Sequence, residues 1–205
     1  MTTLSNVSTE GNCRIDDIED QLVRRARQGD AEAYGELVRR HQPAALRVAT
    51  VVLGTTEGAD DVVQQAMERA WRAMPRFDER RPFRPWLLRI VANAARNDRR
   101  ARGRFARLAV RAASHSPDGN GAAVAVGPEE ATVADGERRR VVEALNRLRA
   151  EDRIVIALRH FEQLSEREMV DVLDVPRGTV KSRLSRAMTR LRAELDRDEE
   201  VSRHG

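Results

Sequence analysis

The sequence LDVPRGTVKSRLSRAMTRL, from Leu173 to Leu191, combines a short turn with a basic amphipathic segment. Val180, Leu184 and Met188 recur at helical spacing and indicate the apolar side of a helix. The opposite side carries Lys181, the only lysine of the chain, beside serine and arginine side chains. Such a segment is either a helix that contacts DNA or an ordinary charged helix at the end of a domain.

A second helix is predicted immediately upstream, because Ser165 and Glu168 have the spacing of a capping box at a helix N-terminus. The short turn 174–176 joins this helix to the basic one. Two helices joined in this way are typical of the helix-turn-helix, whose second helix enters the major groove of DNA. Many helical hairpins also have short turns, so the spacing by itself leaves both interpretations open.

Basic residues are concentrated in two separate blocks of a chain that is nearly neutral overall. The 205 residues carry a formal net charge of +4, although 34% of them are charged. Residues 76–104 hold ten arginines against three acids, and residues 177–197 hold seven bases against two acids. Two separated basic blocks favour two contacts with a polyanion such as nucleic acid. The alternative is that both blocks are solvated helix faces.

The spacing of apolar residues predicts an all-α protein, with two small helical domains joined by a flexible linker. Aromatic residues make up only 3% of the chain, and no segment alternates in the manner of a strand. Pro43 is expected to end one helix and begin another, which Gly54 closes. The predicted boundaries are a flexible acidic tail over 1–19, an N-terminal helical bundle over 20–104, a linker over 105–136, a helix-turn-helix domain over 137–197 and a tail over 198–205.

The sequence contains no pattern typical of an enzyme or a metalloprotein. Cys13 is the only cysteine, which rules out a disulfide framework and favours a reducing compartment. Asp60 and Asp61 are adjacent carboxylates, but neighbours on a helix point about 100° apart, and no histidine lies near them in sequence. The sequence also lacks a glycine-rich phosphate loop, a signal-peptide pattern and an apolar run of membrane-spanning length. We therefore expect a cytoplasmic protein with no catalytic site, metal or cofactor.

Four segments carry a resemblance to a known family. The C-terminal one is LSEREMVDVLDVPRGTVKSRLSRAMTRLRAEL, and the three N-terminal ones are ARQGDAEAYGELVRRH, GADDVVQQAMERAWRAMPRF and PFRPWLLRIVANAARNDRRAR. Taken in their order along the chain, the four segments resemble the extracytoplasmic-function sigma factors, the small two-domain initiation factors of bacteria within the sigma-70 family. The resemblance implies two helical domains on a tether and a protein that supplies promoter specificity to core RNA polymerase.

The resemblance implies that the C-terminal domain binds the upstream (−35) promoter element as a duplex. Four polar residues at i, i+1, i+4 and i+5 share one face of the last helix, and such side chains can bond base edges. These expected base contacts are Lys181, Ser182, Ser185 and Arg186. Arg177 and Arg183 lie nearer the edge of that face and are expected to bind phosphates, which position the helix without specifying sequence. Thr179 is expected to cap the helix or touch phosphate.

For the N-terminal domain the resemblance implies recognition and opening of the downstream (−10) element. Aromatic stacking contributes about 1–3 kcal/mol per unpaired base, and polar side chains bind its exposed edge. Phe77, Asn93 and Asn97 match the family positions that hold a flipped base of the non-template strand. Trp86 also matches a family tryptophan, but its spacing with neighbouring apolar residues predicts a core position. The expected contacts with the DNA backbone are Arg96, Arg99, Arg100 and Arg102.

The resemblance also implies protein partners. One segment matches the surface that packs against a coiled coil of the largest polymerase subunit, and the polymerase flap is a second expected contact. The residues expected at the coiled coil are Asp60, Asp61, Gln64 and Gln65. Gln65 stands where the family usually has glutamate, and Asp174 stands where a glycine often occupies the turn; aspartate tolerates the left-handed conformation, so we expect the turn to be kept. Family members are commonly silenced by an anti-sigma protein, a further expected partner.

Two other functions remain open from the sequence. A conventional helix-turn-helix regulator would bind duplex promoter DNA without polymerase, with residues 20–104 as a sensor or dimerisation domain. The arginine block at 76–104 argues against it, because a sensor domain needs no arginine-rich helix. An enzyme acting on nucleic acid is disfavoured by the lack of carboxylate clusters and metal ligands in the sequence.

Overall fold

The computed structural model describes the backbone of residues 7–113 and 133–204, and the side chains of residues 17–105 and 136–198. The N-terminal group of helices comprises α1 (Val7–Arg27), α2 (Ala31–Leu53), α3 (Ala59–Ala73), a single 3₁₀ turn (Met74–Arg76) and α4 (Phe83–Ala113). The C-terminal group comprises α5 (Val133–Arg147), α6 (Ala150–Ile156), a π-helical turn (Ala157–Phe161), α7 (Glu166–Leu173) and α8 (Arg177–His204). Over the described residues the chain contains no strand, which confirms the predicted all-α class of two helical domains.

Local sequence signals account for several helix ends. The Asp30 carboxylate accepts hydrogen bonds from the backbone N–H groups of Glu32 and Ala33 and so caps α2. Gly54 ends the same helix in the left-handed conformation, with φ 85°. The capping box of Ser165 and Glu168 is formed in both directions at the start of α7. These features follow from the residue types and confirm the helix signals of the sequence.

The structure corrects the predicted tail over 1–19, because α1 already begins at Val7. The sequence prediction placed the start of this helix near Asp20, where the apolar pattern becomes dense. Glu19 is joined to His41 of α2 by a 3.1 Å contact, and Leu22 and Val23 are buried. Contacts with α2 therefore stabilise this part of α1, which its charged local sequence did not indicate.

The prediction that Pro43 divides two helices is wrong, since α2 runs without interruption through it. A proline inside a helix removes one backbone hydrogen bond, at a cost of about 3 kcal/mol. Pro43 lies on the exposed face of α2. On the opposite face, Leu37 before the proline and Ala45 and Val48 after it are fully buried. Because the apolar stripe keeps its phase across the proline, packing of the whole stripe offsets the local cost.

The linker boundaries also differ from the prediction of 105–136. Helix α4 continues to Ala113, and α5 starts at Val133, so both ends of the predicted linker are helical. The rest of that prediction, residues 114–132, lies outside the described residues. Over residues 7–113 and 133–204 no helix is both long and apolar enough to cross a membrane.

Each group of helices buries its own apolar stripe, and the two groups also contact each other. In the N-terminal domain, α2, α3 and α4 pack together around fully buried residues such as Val52, Ala66 and Leu88. In the C-terminal domain, α6 and α7 pack on α8, where Val180 is fully buried. Helix α4 contacts α7, and α2 contacts α6 and the π-helical turn. We call this packing of the two domains the closed arrangement.

Candidate nucleic-acid interface

Helix α8 has one buried side and one exposed polar side. Val180 and Ala187 are fully buried, and Leu191 is nearly so. Leu184 and Met188 are half-buried and pack against the same core. Ala187 was not singled out by the sequence analysis, although it lies seven residues after Val180 and so on the same face. The short alanine side chain allows the α8 backbone to lie close to its neighbours.

The turn between α7 and α8 has the expected backbone conformation. Asp174 adopts φ 54° and ψ 47°, and its N–H donates to the Val170 carbonyl over 2.9 Å. The Pro176 carbonyl then accepts from the N–H groups of Thr179 and Val180, which starts α8. The expectation that aspartate supports the left-handed turn is confirmed.

The four residues expected to contact bases are all exposed on α8. They are Lys181, Ser182, Ser185 and Arg186. The Arg186 guanidinium donates from Nε to the Ser182 carbonyl over 3.1 Å, and the Ser182 hydroxyl donates to the Thr179 carbonyl. Both bonds join side chains to carbonyls of the same helix. The side chains could therefore exchange these bonds for bonds to a base edge without unfolding the helix.

The remaining α8 candidates differ in their surroundings. Arg183 is exposed, whereas Thr179 is half-buried in the first turn. Arg177 is exposed and forms an ion pair with Glu166 of α7 over 2.9 Å. Glu166 thereby ties the Arg177 guanidinium to α7.

A pocket of about 440 Å³ lies at the start of α4, beside the 77–82 loop. Its lining residues are Arg76, Phe77, Asp78, Arg81, Trp86, Arg89, Ile90 and Asn93. We call it the Asn93 pocket. Two of the predicted base-holding residues, Phe77 and Asn93, meet here. Asn97 is exposed one turn further along α4 and does not line the pocket.

Four rings pack together at this pocket in tilted and edge-to-face pairs. The Trp86 ring centroid lies 4.7 Å from that of Phe77 and 5.5 Å from that of Phe83, and Phe83 lies 5.3 Å from His41. Phe77 is only 4% exposed, while Trp86 is half-buried. Trp86 was assigned to the core by its spacing; it packs against the core and also lines the pocket, so it presents the more accessible ring.

Polar groups at the pocket wall are held in place by neighbours. The Asn93 Oδ1 accepts a 2.8 Å hydrogen bond from Arg96, which orients the amide. Asp78 binds the backbone N–H and the guanidinium of Arg80, and the Arg80 side-chain bond lowers the pKa of Asp78 to about 2. Arg76, Arg81 and Arg89 also line the pocket, although no motif in the sequence distinguishes them from the neighbouring arginines. Their positions within the arginine block were the only available signal.

The other arginines of α4 point elsewhere in the closed arrangement. Arg99 donates to the Val52 and Leu148 carbonyls, and burial lowers its pKa. Arg100 forms a 2.9 Å ion pair with Glu151, and Arg102 pairs with Asp98. Arg96 thus bonds to Asn93 of the pocket wall without lining the pocket, whereas Arg99 and Arg100 lie against the C-terminal domain.

The acidic face of α3 is the remaining candidate surface. Asp60, Asp61, Gln64 and Gln65 are all exposed, and the opposite face of the helix is buried. Tyr34 donates to the Met67 carbonyl over 2.5 Å, and burial raises the Tyr34 pKa to about 12. The apolar face of α3 thus packs against the core, and its polar face is accessible to solvent. Within the described residues no cluster of three His, Cys, Asp or Glu side chains could hold a metal.

Comparison with known proteins shows the family to which this chain belongs. The model for "Sigma-70 region 2" matches residues 37–105, and that for "Sigma-70, region 4" matches residues 138–191. The RNA polymerase sigma factor NccH of Alcaligenes xylosoxydans xylosoxydans is 35% identical over 87% of this chain and 95% of its own length. The extracytoplasmic-function sigma-E factor of Escherichia coli is 33% identical over 81% of this chain and 88% of its own. The chain belongs to the extracytoplasmic-function sigma factors of the sigma-70 family.

The structural comparison agrees with this assignment. A solved structure of the sigma factor CnrH in complex with the cytosolic domain of CnrY is similar with a TM-score of 0.65 and 30% identity, over 88% of this chain and 99% of that one. In this sigma factor the Asn93 pocket and the α3 face lie in the region 2 match, and α7 with most of α8 lies in the region 4 match. Transcription initiation is therefore the process in which it acts.

Proposed function

We propose that this sigma factor directs promoter-specific initiation by binding the −35 duplex with α8 and holding an unpaired −10 base in the Asn93 pocket. The proposal rests chiefly on the pocket. The accessible surface of the Trp86 ring, the oriented amide of Asn93 and the three arginines Arg76, Arg81 and Arg89 surround one cavity. A base offers a π-face, a hydrogen-bonding edge and a flanking phosphate, and the pocket has a matching group for each.

The α8 surface supports duplex recognition. A major groove admits one helix, and the exposed face of α8 presents Lys181 and Arg186 beside two serine hydroxyls. Arg177 lies at the edge of that face, where a phosphate contact would fix the register. Binding at both promoter elements would position polymerase and supply the free energy for opening the −10 element.

The exposed α3 face supports binding to core polymerase. Asp60, Asp61, Gln64 and Gln65 would contact the coiled coil of the largest subunit, and the C-terminal domain would contact the flap. CnrH is seen in complex with the cytosolic domain of CnrY. By similarity we infer that an anti-sigma protein also binds this chain and competes with polymerase for it.

Run-off transcription with purified core polymerase tests the proposal. Addition of the protein should yield promoter-dependent transcripts from a genomic promoter library, with opening of the −10 element reported by 2-aminopurine fluorescence. Binding of core polymerase is measured separately by size-exclusion chromatography. No transcript from any promoter would reject the proposed function.

A single substitution tests the pocket. Asn93→Ala should slow opening of the −10 element about 3- to 10-fold, because one hydrogen bond to the base is worth about 0.5–1.5 kcal/mol. Asn93 is preferable to Phe77 as a target, since truncating a buried phenylalanine costs about 3–5 kcal/mol of stability. Gln42→Ala, at an exposed position of α2, is the control.

The same assay distinguishes the pocket from its surroundings. Asn97→Ala should have a smaller effect than Asn93→Ala, because Asn97 does not line the cavity. Both variants should bind core polymerase like the wild type. If Asn93→Ala loses polymerase binding, Asn93 is structural and the pocket assignment is wrong.

A further inference from the structure

A buried ion cluster joins the two domains in the closed arrangement. The Glu162 side chain, which follows the π-helical turn, is fully buried. It accepts hydrogen bonds from Arg47 of α2 at 2.8 Å and from Arg84 of α4 at 2.6 Å. Arg84 also donates to the Glu162 backbone carbonyl. We call these three residues the Glu162 cluster. A buried carboxylate requires such partners, so separation of the domains would expose Glu162 to water and break every bond of the cluster.

A second contact joins two helix C-termini. The last carbonyls of a helix lack partners within the helix and carry partial negative charge. Arg153 of α6 donates to the Val51 carbonyl at the end of α2 and to the Asn146 carbonyl at the end of α5. Arg99 of α4 donates to the Val52 and Leu148 carbonyls at the same two ends. The guanidinium groups of Arg153 and Arg99 therefore both bridge the C-terminus of α2, in the N-terminal domain, and that of α5, in the C-terminal domain.

Two further ion pairs involve arginines close to the proposed DNA surface. Arg89 lines the Asn93 pocket and pairs with Asp174 of the α7–α8 turn over 2.9 Å. Arg100 pairs with Glu151 of α6 over the same distance. A second cavity, of about 350 Å³, adjoins the Asn93 pocket through shared Arg81 and Arg89 and is lined on its other side by the turn. The turn of the helix-turn-helix thus lies directly beside the pocket.

We propose that the free chain is held closed by the Glu162 cluster, and that Asp174 and Glu151 occupy arginines which DNA phosphates bind in the open state. This inference rests on the proposed function, because it regulates the same DNA surface. Each carboxylate presents to Arg89 or Arg100 the charge that a phosphate would present. Promoter DNA and the C-terminal domain therefore compete for one set of arginines.

The chemistry of the boundary suits a reversible closure. Asp174 is 75% exposed and Arg100 is 56% exposed, so water and salt screen these pairs and each contributes little by itself. DNA phosphates can replace such carboxylates without leaving an arginine unpaired. The buried Glu162 cluster lies outside the Asn93 pocket, so its removal should favour opening without removing a DNA contact.

The interdomain distance of the free protein tests the closure. Cys13→Ser removes the only native cysteine, and fluorophores are attached to Gln28→Cys on the N-terminal domain and Arg192→Cys on α8. Energy transfer should be high and narrowly distributed in the wild-type background at low salt. Glu162→Gln should lower it. A mixed-sequence single-stranded 20-mer oligodeoxynucleotide should also lower it in the wild type.

A matched control exists within the chain. Glu36 is a carboxylate that binds two arginines, Arg39 and Arg40, but all three lie on α2. Glu36→Gln removes the same charge without touching the domain boundary and should leave energy transfer unchanged. Circular dichroism of both variants checks that their helices are retained.

Binding of the same oligonucleotide supplies the second measurement. If closure masks the arginines, Glu162→Gln should bind about 3- to 10-fold more tightly by fluorescence anisotropy, because a larger fraction of molecules is competent. If Glu162→Gln lowers energy transfer but binds the oligonucleotide with wild-type affinity, the proposed competition between DNA and the C-terminal domain is wrong. Low energy transfer in the wild type, unaffected by Glu162→Gln, would overturn the closure. Neither measurement includes polymerase, so a failure here is distinct from a failure in run-off transcription.

Discussion

Asp174 connects the turn of the helix-turn-helix with the surface of the N-terminal domain. Its left-handed backbone ends α7, and its carboxylate pairs with Arg89 of α4. The first property follows from residue type, because aspartate tolerates this conformation better than most residues. The second depends on the packing of two domains and has no local signal.

Substitutions at Asp174 separate these two properties. Asp174→Ala should lower the free energy of unfolding by about 1 kcal/mol relative to Asp174→Asn, since alanine is strained in the left-handed conformation and asparagine is not. Both variants lose the exposed ion pair with Arg89 equally, and that pair contributes little. Urea denaturation measures the difference. Equal stability of the two variants would show that the turn carries no such strain.

Arg153 shows how a charge can be buried without a carboxylate beside it. It is 2% exposed, and its bonds go to the Leu148, Val51 and Asn146 carbonyls and to the Asn146 side-chain oxygen. Desolvation, with a smaller effect from Arg99, lowers its pKa to about 10. The guanidinium remains charged at neutral pH and serves carbonyls that would otherwise lack partners.

At the scale of elements, α1 and α2 are joined by a polar contact beneath the aromatic cluster. The Glu19 carboxylate lies 3.1 Å from His41 Nε2, and the His41 ring packs against Phe83 in a tilted pair. The hydrogen bond from His41 is the largest of the influences that lower the Glu19 pKa below 4.5. This contact anchors Glu19, the last residue of the predicted tail, to α2.

The Glu19 contact predicts a pH dependence. A carboxyl group with a lower pKa in the folded state contributes stability above its unfolded value of 4.5, and loses it as pH falls through the folded value. Glu19→Gln should therefore be less stable than the wild type at pH 6, by about 1.5 kcal/mol for a charged hydrogen bond, and the difference should shrink toward pH 3. Urea unfolding at both pH values measures it. Asp20→Asn, at an exposed carboxylate of α1, is the control for removal of a negative charge from this helix.

At the scale of the whole molecule, the closed arrangement depends on close approach at Gly54. A Cβ at this position would overlap the Arg153 guanidinium and the Asn146 side chain, which lie across the domain boundary. Asn146 also donates to the Gly54 carbonyl over 3.0 Å. Gly54 therefore serves both the end of α2 and the contact with the second domain.

Two glycine substitutions separate those roles. Gly54→Ala should lower energy transfer between the domains, because the new methyl group displaces Arg153 and Asn146. Gly29→Ala is the control, since Gly29 has a similar φ of 93° but no atom within 4 Å of the added Cβ. Both variants should lose about 1 kcal/mol or more to backbone strain, but only Gly54→Ala should separate the domains. Equal energy transfer in the two variants would contradict this role.

The helices of this sigma factor were largely predictable, because their signals are local. Asp30, Ser165 and Asp174 determine helix ends through bonds to residues at most four positions away. Pro43 shows the limit, since a local rule predicted a break that the buried stripe of α2 overrides. The candidate site was predictable in part: Phe77 and Asn93 meet at the pocket, whereas Arg81 and Arg89 were not singled out from ten arginines of one block.

Periodicity, helix caps and motif order all lie along the chain, so the all-α class, the helix-turn-helix and the family could be inferred from the residues alone. Three other features depend on how the helices pack: Asn97 lies outside the pocket, Trp86 lines it, and Glu162 joins two domains. Glu162 is separated from Arg47 by 115 residues and from Arg84 by 78. Such contacts follow from the packing of whole helices, which no local pattern of charges specifies.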